Sequence, residues 1–361
     1  MINLGKGISV FLGMKYSLEE NLEYVKFAHK NGFDRVFTSL HIPEADYKKI
    51  IEDFKTLVET VKQLNMSMIA DISPKGFEYL NLSLKDLKSI KNMGIDVIRV
   101  DFGFTPEEIA EFTRNPYGLR IEINGSTVTE GFFKEFAKFN PDFNNVQACH
   151  NYYPRLNTGI SIKSLLRKNE IMKRYNIEIS AFIPSLTNKR GPIYEGLPTL
   201  EIHRKMNPEV AAKHLYALGI DSVFFGDSIP SREEVESVGS LREDVIEFRV
   251  RLLGNSEVEK LLLLRDYYTN RSDGAEDVIR AAESRMYIKG NVIKPFNTID
   301  RKKGDVTVDN EGYLRYMGEL QICKKNLPAD SRVNVVASIV EDELFLLDYI
   351  DEETKFKFKL I

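Results

Sequence analysis

Tryptophan is absent from this chain of 361 residues, which also contains only two cysteines and five histidines. Two cysteines, Cys149 and Cys323, cannot build a disulfide framework, and such sparse use favours a reducing compartment. No run approaches the ~18 apolar residues that a membrane-spanning helix needs. The first residues, MINLGKGISVFLG, lack the apolar core and small-residue cleavage site of a signal peptide. We therefore expect a cytoplasmic protein that has no membrane partner.

A strong charge of one sign is also missing. The chain has 50 Lys and Arg against 54 Asp and Glu, which gives a net charge of −4. This balance, without a long basic run, argues against a nucleic-acid partner. Hydrophobic residues make up 43% of the chain, enough to bury a large core. The length suits a barrel of about 250 residues followed by a smaller second domain.

The first 230 or so residues repeat one pattern, in which a short apolar run ends in polar residues and an amphipathic segment follows. The strand-like runs are 8–13, 35–41, 67–73, 96–103, 119–126, 145–154, 177–185 and 221–228. The clearest helical patterns between them are 17–32, 46–65, 105–112 and 207–219. Eight strand–helix units predict an α/β fold, the (β/α)₈ TIM barrel. The alternative, an open doubly wound sheet, would usually carry a glycine-rich phosphate motif after its first strand, and FLGMKYS contains none.

The pattern changes after residue 230. Two helical segments are predicted at 256–264 and 274–285. Turn-rich sequence and alternating runs follow, and the runs are 313–325, 332–340, 343–350 and 355–361. Such runs predict a small antiparallel β-rich domain. We place the boundary near residue 243, with the barrel at 1–243 and the second domain at 244–361.

Charged side chains lie on the inward face of two predicted strands, because alternate residues of a strand point to opposite faces. These inward residues are Arg99, Asp101, Arg120, Glu122 and Asn124. Asp71 and Asp227 end two further strands, so four carboxylates approach the end of the barrel where active sites form. A purely structural alternative pairs Arg99 with Glu122 and Arg120 with Glu178. Asp71 as a turn residue and Asp227 as a helix N-cap are further alternatives.

Other polar groups follow the sixth and seventh strands. The sixth strand leads into His150, Asn151, Tyr152 and Arg155, an aromatic and hydrogen-bonding set that suits a sugar ring. The long loop 185–205 contains Lys189, Arg190, Gly191, Glu195 and Arg204. Many barrels bind phosphate after strands seven and eight, so Arg190 beside Gly191 is a candidate phosphate clamp. An ordinary solvated loop and a core histidine at 150 are the alternatives, and we expect Cys149 to be core.

Several of these runs resemble one known family. IRVDFG, RIEINGST, ACHNYYPR, RGPIYEGLPTLEIHR and FFGDS resemble the 6-phospho-N-acetylmuramidase family, and the resemblance covers essentially the whole chain. It implies a barrel with a cyclophilin-like C-terminal domain. It also implies cytoplasmic hydrolysis of N-acetylmuramic acid 6-phosphate linked β-1,4 to N-acetylglucosamine, during cell-wall recycling. Asp101 and Glu122 match acidic positions of the family.

Glycoside hydrolysis commonly needs one carboxylic acid and one carboxylate on opposite sides of the scissile bond. We expect Glu122 to be the acid/base and Asp101 the nucleophile or electrostatic stabiliser, with Asp227 in reserve. The substrate's acetamide is a further candidate nucleophile, which Asp101 would orient. Asp71, Asn124 and the mouth residues named above are the expected substrate contacts, and we expect no metal or other cofactor.

Two other functions remain open. A metal-dependent sugar-phosphate isomerase or epimerase would draw ligands from His41, Asp71, Glu122 and His150, although no strand ends in HxH or HxD. A non-catalytic sugar-phosphate-binding protein would use the β-rich domain as a partner module. That domain could also mediate a homodimer.

Overall fold

The computed structural model describes residues 5–39, 47–71, 86–100, 103–254, 256–288 and 290–361. The chain divides into two compact units. The first contains the described residues up to Leu215 together with Gly219–Ser240, and the second contains Tyr216–Leu218 and Leu241–Ile361.

The first unit is a closed barrel of eight parallel strands, in which β1 pairs with both β2 and β8. Its strands are β1 (Gly5–Val10), β2 (Arg35–Ser39), β3 (Ser67–Asp71), β4 (Val97–Val100), β5 (Arg120–Asn124), β6 (Val146–Cys149), β7 (Glu178–Ile183) and β8 (Ser222–Phe225). The predicted TIM barrel is therefore confirmed.

Helices follow the barrel strands. They are α1 (Leu18–Lys30), α2 (Tyr47–Gln63), α3 (Leu87–Asn92), α4 (Pro106–Thr113), α5 (Glu130–Lys138), α6 (Ile162–Lys173), α7 (Pro208–Ala217) and α8 (Arg232–Gly239). The capping box that predicted α1 is present, because Ser17 accepts from the Glu20 backbone and Glu20 bonds back to Ser17. The four helical patterns read from the sequence all correspond to observed helices.

Strand β1 begins at Gly5, earlier than its apolar run at 8–13 suggests. A side chain at Gly7 would collide with the Phe224 ring of the neighbouring strand, so glycine lets that ring fill the barrel. Phe224 belongs to an apolar cluster inside the barrel with Phe11, Phe37 and Phe182. The sequence pattern missed the start of the strand because Gly5, Lys6 and Gly7 give no apolar signal.

The second unit contains one seven-stranded sheet with the order β10-β15-β9-β14-β12-β13-β11. Its strands are β9 (Ile246–Leu252), β10 (Tyr268–Thr269), β11 (Val278–Arg280), β12 (Asp305–Asp309), β13 (Leu320–Cys323), β14 (Val333–Ile339) and β15 (Lys355–Leu360). All pairs are antiparallel except β15–β9, which is parallel. Helices α9 (Glu257–Leu263) and α10 (Ser284–Tyr287) accompany the sheet.

Two predicted elements of the second unit are wrong. The run 343–350 is not a strand but part of a 3₁₀ helix, Glu341–Tyr349. Leu346 and Leu347 are adjacent and both buried, which a half-exposed strand does not permit, and the buried Glu343 accepts two hydrogen bonds from Arg249. The predicted helix 274–285 is instead β11 followed by the short α10.

Both cysteines are buried and free. Among the helices that the structure describes, none is long and apolar enough to span a membrane.

Candidate active site

The guanidinium of Arg99 organises the carboxyl-terminal part of the barrel interior. Arg99 lies on β4 with only 3% of its surface exposed. Its Nη1 donates to Glu122 Oε1 at 3.1 Å and to the Cys149 carbonyl at 3.2 Å. Its Nη2 donates to Asn151 Oδ1 at 2.5 Å. One arginine therefore joins β4, β5 and the end of β6.

Glu122 lies at the centre of this network and not at its surface. It is 1% exposed, and its second oxygen accepts from Gln147 Nε2 at 2.7 Å. Both carboxylate oxygens of Glu122 are therefore bonded to buried side chains in the barrel interior. The acid role predicted for Glu122 does not fit this geometry, whereas the structural alternative of an Arg99–Glu122 pair does. Arg120 and Glu178 form the second expected pair at 2.7 Å.

Asp71 is a half-buried carboxylate at the end of β3. The parallel register places it beside Arg99 of β4, and Ser39 Oγ donates to its Oδ2 at 3.2 Å. Of the carboxylates predicted at the strand ends, the structure describes Asp71, Glu122 and Asp227, and among these three solvent reaches only Asp71. The predicted nucleophile Asp101 and the rival metal ligand His41 lie outside the described residues.

Arg190 extends from the loop after β7 toward two aromatic rings, those of Phe11 and Tyr152. Its guanidinium carbon lies 4.2 Å from the Phe11 ring centre and 5.0 Å from that of Tyr152. Nη1 donates to the Tyr152 hydroxyl at 3.2 Å, and the buried Nε has no hydrogen-bond partner among the described residues. The half-buried Arg190 thus presents a fixed cation with unused donors at the barrel mouth.

Asp227 holds this loop in place. It is fully buried, and its carboxylate accepts from the backbone N–H groups of Arg190 at 2.8 Å, Ser185 at 2.9 Å and Leu197 at 3.1 Å. Burial raises the pKa of Asp227, and the three N–H donors oppose that rise. The alternative of a helix N-cap is wrong, because Ser231 caps α8. Asp227 therefore anchors the loop and does not face the mouth.

Three predicted substrate contacts lie in the interior instead. His150 is fully buried between Ser126 Oγ at 3.2 Å and Asn169 Oδ1 at 2.8 Å. The buried Asn124 uses Oδ1 to accept from the Ser126 backbone at 2.9 Å. Arg204 is buried against Glu201 and donates to backbone carbonyls. These three side chains position the loops and are not available for substrate contact.

The remaining predicted residues are accessible. Asn151, Tyr152, Lys189, Gly191 and Glu195 are half-buried, and Arg155 is exposed. Cys149 is core as expected, and burial raises the pKa of its thiol to about 12. Phe11 and Gln147 were not predicted as site residues, although Gln147 lies between apolar residues of a strand, the same signal that identified Glu122.

A cavity of about 580 Å³ opens at the opposite, amino-terminal end of β2–β5. Its cations include Lys62 and Lys91, which lie in the last turns of α2 and α3 and complement the negative ends of those helices. We do not assign it as the active site, since barrel reactions take place at the carboxyl ends of the strands. No group of three or more potential metal ligands occurs among the residues described.

Comparison with known proteins identifies the family. The N-terminal model of the 6-phospho-N-acetylmuramidases matches residues 6–240, and the C-terminal model matches residues 246–359. A solved but uncharacterised B. cereus protein is 34% identical, with a TM-score of 0.86 and 99% of both chains covered. A conserved Enterococcus faecalis protein of unknown function is 32% identical with a TM-score of 0.72, covering 99% of this chain and 96% of that one. A search of curated proteins gave no match. The chain therefore belongs to the 6-phospho-N-acetylmuramidase family and is a glycosidase.

Proposed function

We propose that this glycosidase cleaves the β-1,4 bond between N-acetylmuramic acid 6-phosphate and N-acetylglucosamine, as a cytoplasmic step of peptidoglycan recycling. The observation that carries the proposal is Arg190, a cation held beside two aromatic rings at the mouth, of whose guanidinium nitrogens only Nη1 has an acceptor among the described residues. A guanidinium binds phosphate oxygens with paired hydrogen bonds, and stacking on rings fixes its plane beforehand. The phosphate at C6 would be the partner of this arginine.

The rest of the mouth suits a sugar ring. Tyr152 packs edge-on against Phe11 and Phe182, so its own ring is rigid. Aromatic side chains of this kind provide apolar contact, while the neighbouring Asn151 provides a hydrogen-bonding edge. We place the muramyl ring beside Tyr152 and Asn151, with its phosphate toward Arg190. Lys189 and Arg155 are the secondary candidates for the phosphate.

We assign the chemistry to Asp71, the last residue of β3, and to Asp101, the residue after β4 in the sequence. Asp71 is the described carboxylate that is both accessible and close in register to Arg99. Asp101 follows β4 directly in the sequence and stays the predicted partner. Glu122 acts in this scheme through Arg99, whose charge it balances in the interior. One carboxyl would protonate the leaving oxygen, and the other would stabilise or attack the anomeric carbon.

A double cycle of enzyme variant against substrate phosphate tests the proposal. A charge-assisted contact contributes about 1.5–3 kcal/mol, so we expect Arg190→Ala to lower kcat/KM for the phosphorylated disaccharide by ~10- to 150-fold. The unphosphorylated disaccharide should be affected little by the same change, and the difference isolates the coupling. Arg190→Lys is the matched control, because it keeps the charge but loses the planar fork. Equal losses on both disaccharides would mean that Arg190 does not bind the phosphate.

The two rival functions give different results in the same assay. A metal-dependent isomerase would lose activity in EDTA and regain it with a divalent ion, whereas the proposed hydrolase should be unaffected. His150, one of the ligands that the isomerase would use, is already bonded to Ser126 and Asn169. A non-catalytic binding protein would bind the phosphorylated disaccharide and release no N-acetylglucosamine.

A further inference from the structure

A buried chain of hydrogen bonds lies directly behind Asn151. Ser126 Oγ accepts the Asn151 backbone N–H at 2.9 Å and lies 3.2 Å from His150 Nδ1. The other ring nitrogen, His150 Nε2, lies 2.8 Å from Asn169 Oδ1 on α6. Ser126, His150 and Asn169 are all buried, so water does not compete for these bonds. We call these three residues the serine–histidine–asparagine chain.

The protons of this chain can be placed by chemistry. Burial lowers the pKa of His150 to about 4, with Lys168 and Arg99 adding to the effect and the Asn169 bond opposing it. The imidazole is therefore neutral near pH 7. Since the oxygen of Asn169 only accepts, Nε2 carries the ring proton and Nδ1 accepts the Ser126 hydroxyl. The lone pairs of Ser126 are then free to accept the Asn151 N–H.

Asn151 is consequently held at three atoms. Ser126 binds its backbone nitrogen, Thr199 Oγ1 donates to its backbone carbonyl at 2.8 Å, and Arg99 donates to its Oδ1 at 2.5 Å. With Oδ1 bonded to an arginine, the side-chain amide cannot flip without placing Nδ2 against a cation. No described residue accepts a hydrogen bond from Nδ2, and Asn151 is half-buried at the mouth. Its NH₂ group is therefore a fixed donor without an acceptor in the described part of the chain.

We propose that Asn151 donates through Nδ2 to an oxygen of the bound sugar, and that Ser126, His150 and Asn169 are positioning residues that set its place and orientation. The identity of the ligand rests on the proposed function. The placement of Asn151 rests on the chain of bonds alone. Displacement of a substrate-orienting group by ~1 Å can cost about 10² in rate, so loss of the chain should be measurable in kcat.

The first test is Ser126→Ala, which removes the acceptor of the Asn151 N–H. We expect kcat to fall about 10²-fold in a variant that still folds, with a somewhat lower melting temperature because two buried groups lose their partner. Ser180→Ala is the matched control, because Ser180 is a buried barrel serine that donates to the Ala148 carbonyl and is outside the chain. The control should keep wild-type kinetics. Equal kinetics for a folded Ser126→Ala and Ser180→Ala would overturn the proposal.

The second test, Asn169→Asp, gives a readout that a space-filling role would not change. Asn169 Nδ2 is buried without a partner, so its replacement by oxygen sacrifices no hydrogen bond. The new carboxylate should raise the pKa of His150 from about 4 toward neutrality. Protonated His150 would donate from Nδ1 to Ser126, whose hydroxyl would then lose its acceptor. We expect kcat of Asn169→Asp to approach the wild type at pH 8 and to fall at acidic pH where the wild type does not.

Nuclear magnetic resonance of ¹⁵N-histidine separates this proposal from the proposed function. It reports the tautomer and pKa of His150 without substrate, and amide exchange reports whether Asn151 loosens in Ser126→Ala. If the wild type does not hydrolyse the phosphorylated disaccharide, the proposed function fails, yet these two measurements still test the chain. An Asn169→Asp variant whose His150 pKa rises while its pH profile matches the wild type would overturn the positioning role. Unfolding of both variants would also overturn it, because the chain would then be scaffold.

Discussion

Glu122 and Asp71 show how much the surroundings of a carboxylate decide its role. Strand alternation places both inside the barrel, but Glu122 is enclosed by Arg99 and Gln147 whereas Asp71 is half-exposed beside Ser39. Removing one partner of a buried ion pair costs several kcal/mol of stability, whereas removing the charge of an accessible carboxylate costs little. Substitution of each by its isosteric amide should therefore affect different properties of the enzyme.

We expect Asp71→Asn to lower kcat by at least ~10², the low end for loss of a general acid or base. Its stability should change little, because the side chain is half-exposed and the amide can still accept from Ser39. Steady-state kinetics on the phosphorylated disaccharide and a melting curve measure both effects. Near-normal turnover would remove Asp71 from the chemistry and leave Asp101 as the candidate.

For Glu122→Gln we expect mainly a loss of stability. Arg99 would lose the buried carboxylate that it bonds at 3.1 Å, and removal of one partner of a buried ion pair costs about 3–5 kcal/mol. Denaturant unfolding measures this cost, and activity should be followed at a temperature where the variant is folded. A variant as stable as the wild type but without turnover would restore the acid/base role that the sequence suggests.

Strand periodicity predicted which residues point inward, and both expected ion pairs, Arg99–Glu122 and Arg120–Glu178, are present. It could not predict how deep each carboxylate lies. Depth depends on the register between neighbouring strands and on the loops above them, and the sequence of a single strand determines neither. For the same reason the sequence left His150 open between a substrate contact near the mouth and a core histidine, and in the structure Ser126 and Asn169 enclose it.

At the scale of elements, the loop from Ser185 to Leu197 is held by the side chain of Asp227. Asp227 accepts from three of its backbone N–H groups, and two of these bonds share Oδ2. In Asp227→Asn an NH₂ group would face at least one N–H donor. We expect a destabilisation of about 2 kcal/mol or more, since hydrogen bonds to charged groups contribute ~1.5–3 kcal/mol each. The KM for the phosphorylated disaccharide should rise as Arg190 loses its place.

Kinetics and amide hydrogen exchange of the loop test this prediction. Asp221→Asn is a matched control, because Asp221 also accepts a backbone N–H, that of Ile179 at 2.8 Å, but at the start of the barrel strands. Faster exchange in both variants, or in neither, would show that Asp227 has no special hold on the loop.

Elements whose apolar or capping residues follow a clear local pattern were predicted well, whereas elements stabilised by contacts with distant segments were not. The capped helix α1 was readable because Ser17 and Glu20 form its cap locally. The 3₁₀ helix Glu341–Tyr349 was mistaken for a strand, because the bonds of Glu343 to Arg249 that favour it come from a distant segment. The start of β1 was predicted too late, because the Phe224 ring on the neighbouring strand requires glycine at position 7 and glycine gives no apolar signal.

At the scale of the whole molecule, acid should weaken the fold through buried histidines. Burial lowers the pKa of His150 and His214 to about 4, and it also lowers the pKa of His203 well below its usual value. An unfolded histidine titrates near pH 6.5, so below that pH the unfolded chain binds protons that the folded chain does not. The resulting stability is fully present above pH ~6.5 and is lost as the pH falls toward the folded pKa values.

The boundary near residue 243 and the cyclophilin-like assignment of the second domain stay predictions.

Asp309 in the second unit acts in the opposite direction. Burial, with Glu319 and Asp330 nearby, raises its pKa to about 7, so its folded form holds a proton that the unfolded form releases above pH ~4. Its contribution is present at acidic pH and is lost as the pH rises through 7. The raised pKa values of Asp221, Asp227 and Glu259 act in the same direction as that of Asp309, but their shifts are smaller. The three histidines, whose shifts are large, each contribute a slope of up to ~1.4 kcal/mol per pH unit. We therefore expect the melting temperature of the wild type to fall from pH 7 to pH 5, and to fall more steeply in Asp309→Asn. Melting curves followed by circular dichroism across that range provide the measurement. A wild-type profile that is flat or rises on acidification would mean that the three histidines are not held neutral in the folded protein.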